Sequence, residues 1–112
     1  MSSYTEINIK ENMPTVDEAM NYLKSSVSGL RSSGCKCLLI VHGYGSTGKG
    51  GAIREKARQW LKAQERNKKV KRVIFGEDIS IFNFDALDLK ARHRELEPLF
   101  KVCNHGVTVV EL

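Results

Sequence analysis

Three stretches of this 112-residue chain predict an α/β fold. Leu38–Val41 is a short apolar run with β-branched residues, bounded by turn signals as a buried strand would be. Directly after a glycine-rich loop, Ile53, Ala57, Trp60 and Leu61 recur at helical spacing. Gly106–Leu112, reading GVTVVEL, is a second β-branched strand. With the elements around them they give the order β-α-β-α-β-β. That order implies a two-layer mixed sheet, two helices on one face, and right-handed crossovers. The length suits one domain over residues 1–112 and lets it bury a core without disulfide or metal staples.

The elements follow in order. Tyr4 to Ile9 alternates, with Ile7 and Ile9 on one side and Glu6 and Asn8 on the other, a short strand. After Pro14, Thr15 and Glu18 form a capping box, and Val16, Ala19, Met20, Leu23, Val27 and Leu30 trace the buried stripe of the first helix. Gly29 and Ser32-Ser33-Gly34 stop it. The central strand and second helix come next. Val70–Phe75 alternates as a third strand, and Gly106–Leu112 closes the sheet. The segment 77–105 is long for a connection: Ile79–Phe84 reads as strand-like, and a short helix near Ala86–Leu96 precedes Pro98.

Charge is unevenly spread. The net charge is +5, yet Lys49 to Arg72 holds ten bases against Glu55 and Glu65, a local balance of +8 that leaves the remainder net acidic. A basic face beside a glycine loop attracts polyanions, although a solvated helix surface is the plainer reading of any charge run. The three cysteines, the lack of a leader-like N-terminus and the lack of a long apolar span fit a reducing, cytoplasmic setting without membrane attachment. Cys35-x-Cys37 lacks the second pair a zinc site needs, so buried thiols are the simpler reading and no metal site is supported.

The loop carries the chemistry. Gly43, Gly45, Gly48, Gly50 and Gly51 crowd between strand and helix, and that arrangement turns backbone N–H groups and the helix dipole onto one small volume suited to phosphate. Gly43 to Lys49 fits the P-loop spacing G-x-x-x-x-G-K, but Gly50 stands where a magnesium-binding hydroxyl belongs. Gly43-x-Gly45-x-x-Gly48 matches a dinucleotide fingerprint without a ribose-binding acid or room for a second half.

A third pattern fits better. His42-Gly-Tyr44-Gly45, the glycine turn, Ile53-Arg54 at the helix start, Thr15-Val-Asp-Glu-Ala19 and Gly106–Leu112 together resemble the small MutS-related (Smr) domain family. The resemblance implies a fold similar to the C-terminal domain of translation initiation factor three. It also implies nucleic-acid binding, with DNA or RNA endonuclease activity in several members, and a divalent metal if this chain cuts. Cutting members carry an L-D-x-H-G type motif after the first strand. The matching residues here are Ile7-Asn8-Ile9-Lys10-Glu11, so Asn8 replaces the acid and Lys10 the histidine. An amide takes no proton and a lysine stays charged, which argues for weak or lost cleavage.

The candidate contacts to nucleic acid are Lys10, His42, Gly43, Tyr44, Gly45, Gly48, Lys49, Arg54, Lys56 and Arg58. Lys49 and Arg54 are the leading phosphate ligands, and the plainer role of Arg54 is an ion pair with Glu55 or Glu77. Lys56, Arg58 and Lys62 are expected in solvent beside the site. Tyr44 is placed to stack on an unpaired base, while Trp60 belongs to the core. If the domain cuts, His42 carries the proton and Arg54 steadies the pentavalent phosphate; otherwise His42 fixes the turn. Asp85, Asp88, Glu95 and Glu97 offer carboxylates that the spacing does not place, and His93 and His105 are expected at the surface. Two other functions remain open: a small-molecule phosphate or nucleotide binder using the same loop, and a protein-interaction module using 77–105.

Overall fold

The computed structural model describes residues 4–112 apart from 13, 44–47, 80–82 and 102–104. Four strands, β1 (Tyr4–Asn8), β2 (Cys37–Val41), β3 (Arg72–Phe75) and β4 (Val107–Glu111), form one sheet in the order β1-β2-β4-β3. β1 runs parallel to β2, as a strand–helix–strand crossover requires, with Ile7 opposite Ile40. β4 enters between β2 and β3, antiparallel to both, with Thr108 opposite Ile40 and Phe75. Cys37 through Ile40 are all buried, so β2 reads as a continuous apolar run because both its faces are covered.

One face carries helices α1 (Val16–Ser32) and α2 (Gly48–Arg66). The sequence sets the start of α1: the Thr15 hydroxyl accepts from Glu18 N at 3.1 Å and Glu18 Oε1 accepts from Thr15 N at 2.8 Å, a closed capping box. The α1 stripe Ala19, Met20, Leu23 and Val27 meets Ile53, Ala57 and Leu61 of α2 over Ile7, Leu38, Ile40 and Val110 of the sheet. Trp60 packs at the margin of this core, as expected.

The other face is also covered, which adds a third layer to the two-layer arrangement. Ile79 leaves a 3₁₀ turn at Gly76–Asp78, and a further helix, α3 (Phe84–Arg92), leads into a 3₁₀ segment at Arg94–Lys101. Ile79, Ala86, Leu89 and Leu96 pack on Cys37, Leu39, Ile74 and Val109. The strand expected at Ile79–Phe84 is therefore not formed by its described residues. Asn83 Oδ1 accepts from Ala86 N at 2.9 Å and caps α3, so the apolar run ends as a helix start. No helix among the described residues is long and apolar enough to cross a membrane.

Candidate nucleic-acid interface

The site lies at the C-terminal end of β2, where the chain turns toward α2. Gly106 O accepts from both His42 N and Gly43 N at 3.0 Å, which staples this turn to the approach of β4. Gly43 adopts φ +81°, a conformation that favours glycine. A Cβ built on it would lie 2.8 Å from Lys10 Cδ, so the stem of Lys10 crosses directly over Gly43. The end of β1 and the glycine turn thus belong to one locale. Asn8 Oδ1 accepts from Lys10 N at 3.0 Å and holds that short bend.

His42 is fully buried and uses both ring nitrogens. Nδ1 lies 2.9 Å from Gly43 O, and a carbonyl only accepts, so Nδ1 carries the proton. Nε2 is then the acceptor for the Thr108 hydroxyl at 2.9 Å. Thr108 Oγ1 in turn accepts from Arg58 Nε at 3.1 Å. Each link fixes the polarity of the next, from guanidinium to hydroxyl to imidazole to backbone. Burial, reinforced by the charges of Arg58 and Arg54, lowers the His42 pKa from 6.5 to about 4, so the ring is neutral near pH 7. This geometry suits a ring that fixes the turn; its described contacts leave neither nitrogen pointing to solvent.

Arg58 is not the solvent-facing base expected from its place in the charge run. It is buried, with its side chain 10% exposed. Nη1 and Nη2 donate to Glu77 at 2.7 and 2.6 Å, Nη2 also donates to Val107 O at 3.1 Å, and its guanidinium carbon lies 4.2 Å from the centroid of the Phe75 ring. Such a fork-to-fork pair, dressed by further acceptors, is the form in which a buried charge is tolerated. Arg54 shares the same carboxylate: Nη2 donates to Glu77 Oε2 at 3.2 Å and Nε to His105 O at 3.1 Å, while the side chain remains 28% exposed. The ion pair with Glu77 expected as its plainer role is thus present, and a face of Arg54 still meets solvent. Hydrogen bonding to Arg58, with the charges of Arg58 and Arg54, pulls the Glu77 pKa from 4.5 to about 2.

Glu77 and Thr108 are the residues that sequence reasoning did not place at the centre. Glu77 was visible only as a partner for Arg54, and Thr108 only as one β-branched residue of a strand. Asp85 and Asp88 turn instead to Arg72, 3.8 and 2.8 Å away, on the far face. His93 is not a free surface group: Nε2 lies 2.8 Å from Glu111, whose side chain is 4% exposed, and Arg92 braces the same carboxylate at 3.0 Å. His105 is exposed, with Nδ1 3.6 Å from Glu77. Cys37 is an inert thiol, its pKa raised to about 12 chiefly by burial, and Cys35 donates to Cys37 O at 3.2 Å.

Along α2, Arg54, Arg58, Lys62 and Arg66 recur every fourth residue and, with Glu55, Gln59 and Phe75, line an open groove of about 480 Å³. Helical rise separates successive members by ~6 Å. Lys62 is 40% exposed and bonds Glu65 and Val73 O, Arg66 is exposed, and Lys56 lies on the exposed side. The first turn of α2 contains no acid, so no residue of that turn opposes the positive end of its dipole. Gly48 and Lys49 begin this helix, but the Lys49 side chain, Tyr44 and Gly45 lie outside the described residues. Among the described residues no three of His, Cys, Asp and Glu are grouped to hold a metal ion, and Glu77 is already clamped by two arginines.

The sequence matches the family model described as the Smr domain over residues 12–77. That span takes in α1, β2, α2 and β3 and omits β1. The crystal structure of the Smr domain of Thermus thermophilus MutS2 is similar over 96% of each chain, with a TM-score of 0.58 and 25% sequence identity. No curated protein matches the chain.

Proposed function

The chain belongs to the Smr domain family, and from that premise and the site geometry we propose that it binds nucleic acid through the phosphate backbone and does not cut it. The observation that carries this reading is the groove along α2, lined by Arg54, Arg58, Lys62 and Arg66 at ~6 Å steps from the second turn of the helix onward. Arg54, Lys62 and Arg66 keep exposed surface along this face and suit the phosphates of one strand, with Arg58 paired to Glu77 beneath them. The groove's open, elongated form suits a polymer better than an enclosed mononucleotide. Lys10, Lys49 and Arg54 contact phosphate at the turn, while Lys56, Lys62 and Arg66 extend the track. His42, Gly43 and Arg58 shape the surface from beneath, and Tyr44, Gly45 and Gly48 complete the loop.

Loss of cleavage follows from the groups present. Asn8 and Lys10 supply neither a carboxylate nor an imidazole, and His42 is sealed in a neutral state whose two nitrogens are occupied. Asn8, Lys10 and His42 therefore offer no general base to a phosphodiester at the turn.

The test is fluorescence anisotropy with labelled DNA and RNA strands across a salt series, alongside gels run with and without a chelator. Affinity falls steeply with salt, each phosphate contact adding roughly 0.7 to 0.9 to the slope. Replacing Lys49 and Arg54 together by alanine weakens binding and removes nearly two such contacts. Equal affinity of parent and double variant refutes the proposal, and a chelator-sensitive product refutes the loss of cleavage.

A further inference from the structure

A second groove lies next to Lys10, whose stem crosses Gly43. It has a volume of about 330 Å³ and lies between the end of β1 and the first turns of α1, lined by Asn8, Glu11, Asn12, Pro14, Glu18 and Tyr22. Tyr22 is 49% exposed, although it is one residue from Leu23, which is fully buried. The α1 backbone fixes this: Met20, Leu23 and Val27 turn inward at helical spacing and leave Tyr22 outside, over the groove. Asn12 has φ +65°, so the chain doubles back sharply between strand and helix and opens the space that the ring flanks.

The chemistry of the lining is selective. Glu11 and Glu18 repel a phosphate, and Glu11 brings carboxylate acceptors to the rim, while Asn8 Oδ1 already accepts from Lys10 N and Glu18 Oε1 from Thr15 N. The occupant should therefore be flat enough to lie on an aromatic ring, free of negative charge of its own, and edged with N–H donors. Lys10 sits two residues from Asn8, with its backbone N–H bonded to the Asn8 side chain and its stem over Gly43. A phosphate held by Lys10 at the glycine turn thus has the groove immediately beside it.

Resting on the nucleic-acid reading above, we infer that the groove between β1 and α1 takes an unpaired nucleobase that carries an exocyclic amine, stacked on Tyr22. The neighbouring nucleotide's phosphate lies at Lys10. A base inside a duplex cannot enter, because both its faces are already stacked on neighbouring pairs and neither is free for Tyr22. The domain therefore selects single-stranded over double-stranded nucleic acid on this side of the turn. A cytosine amine donating to a carboxylate is a familiar pairing, and stacking on tyrosine tolerates any base with that edge.

The probe is a short labelled oligodeoxycytidine strand, compared with an abasic strand of the same length and charge. The parent protein binds the cytidine strand about tenfold more tightly, the scale of one base stacked on one aromatic side chain. Tyr22→Ala erases that preference and leaves abasic binding unchanged; Tyr22→Phe retains it. Circular dichroism and thermal melting establish that both variants fold, as an exposed position should allow. Equal affinity of the parent for the two strands, or a preference that survives Tyr22→Ala, overturns the inference while phosphate binding stands. Failure of the parent to bind either strand overturns both.

Discussion

Replacing Glu77 by glutamine tests the electrostatic centre of the domain. Glu77 holds Arg58 through two bonds of 2.7 and 2.6 Å and Arg54 through one of 3.2 Å. Its pKa falls from 4.5 to about 2 on folding. At about 1.4 kcal/mol per unit, the favourable interaction of the ionised carboxylate has a ceiling of about 3.5 kcal/mol. The side chain is 23% exposed and glutamine keeps one acceptor, so the expected loss at pH 7 is about 2 kcal/mol. The sign follows from the direction of the shift. A depressed carboxylate pKa stabilises the fold above pH 4.5, and that contribution disappears as pH falls through about 2. Urea unfolding, followed by the fluorescence of Trp60, the single tryptophan, measures it at each pH. The gap between parent and variant should be widest near neutrality and close near pH 2. No difference at pH 7, or a gap that persists undiminished in acid, refutes the reasoning.

Other expectations concern the same hub. Thr108→Val removes the hydroxyl between Arg58 Nε and His42 Nε2 without changing volume much, and should cost about 1–3 kcal/mol by stranding two buried partners; thermal unfolding measures it. Because the His42 pKa is lowered from 6.5 to about 4, its contribution is present above pH 6.5 and fades as pH falls through 4, so the acid limb of the stability profile begins before Glu77 titrates. A profile flat from pH 6.5 to 4.5 contradicts this. Gly43→Ala forces a side chain into φ +81° and against the Lys10 stem, so it should lose about 1–2 kcal/mol and weaken oligonucleotide binding. Gly34→Ala, at φ +87° but in open space, should cost similar stability and leave binding unchanged, an outcome read by the same two assays. Lys10→Ala should weaken binding, and unchanged affinity removes that residue from the interface.

Local signals carried most of the architecture. The capping box of α1, the uninterrupted apolar run of β2 and the β-branched closing strand each encode their conformation in neighbours, and each element forms where it was expected. Residues 79–84 misled because the same apolar letters serve a strand or the approach to a helix. Asn83, as the cap of α3, was the available sign. Arg58 could not be read at all from its surroundings in sequence. It falls on the same four-residue stripe as Arg54 and Lys62, and its burial depends on Glu77 and Thr108, 19 and 50 positions away. A solvent-facing base and a core base look alike until the chain brings a carboxylate to one of them. His42 poses the same ambiguity, which Thr108 and the Gly43 carbonyl decide.

The position of β4 has a consequence for biosynthesis. As the ribosome extrudes the polypeptide, β2 and β3 emerge with no strand between them, and each offers an open edge to whatever is nearby. Only after residues 107–111 leave the exit tunnel can the gap be filled and Thr108 reach Arg58 and His42. A nascent chain halted before that point should be captured by chaperones or proteases, and the turn at His42 and Gly43 should mature last.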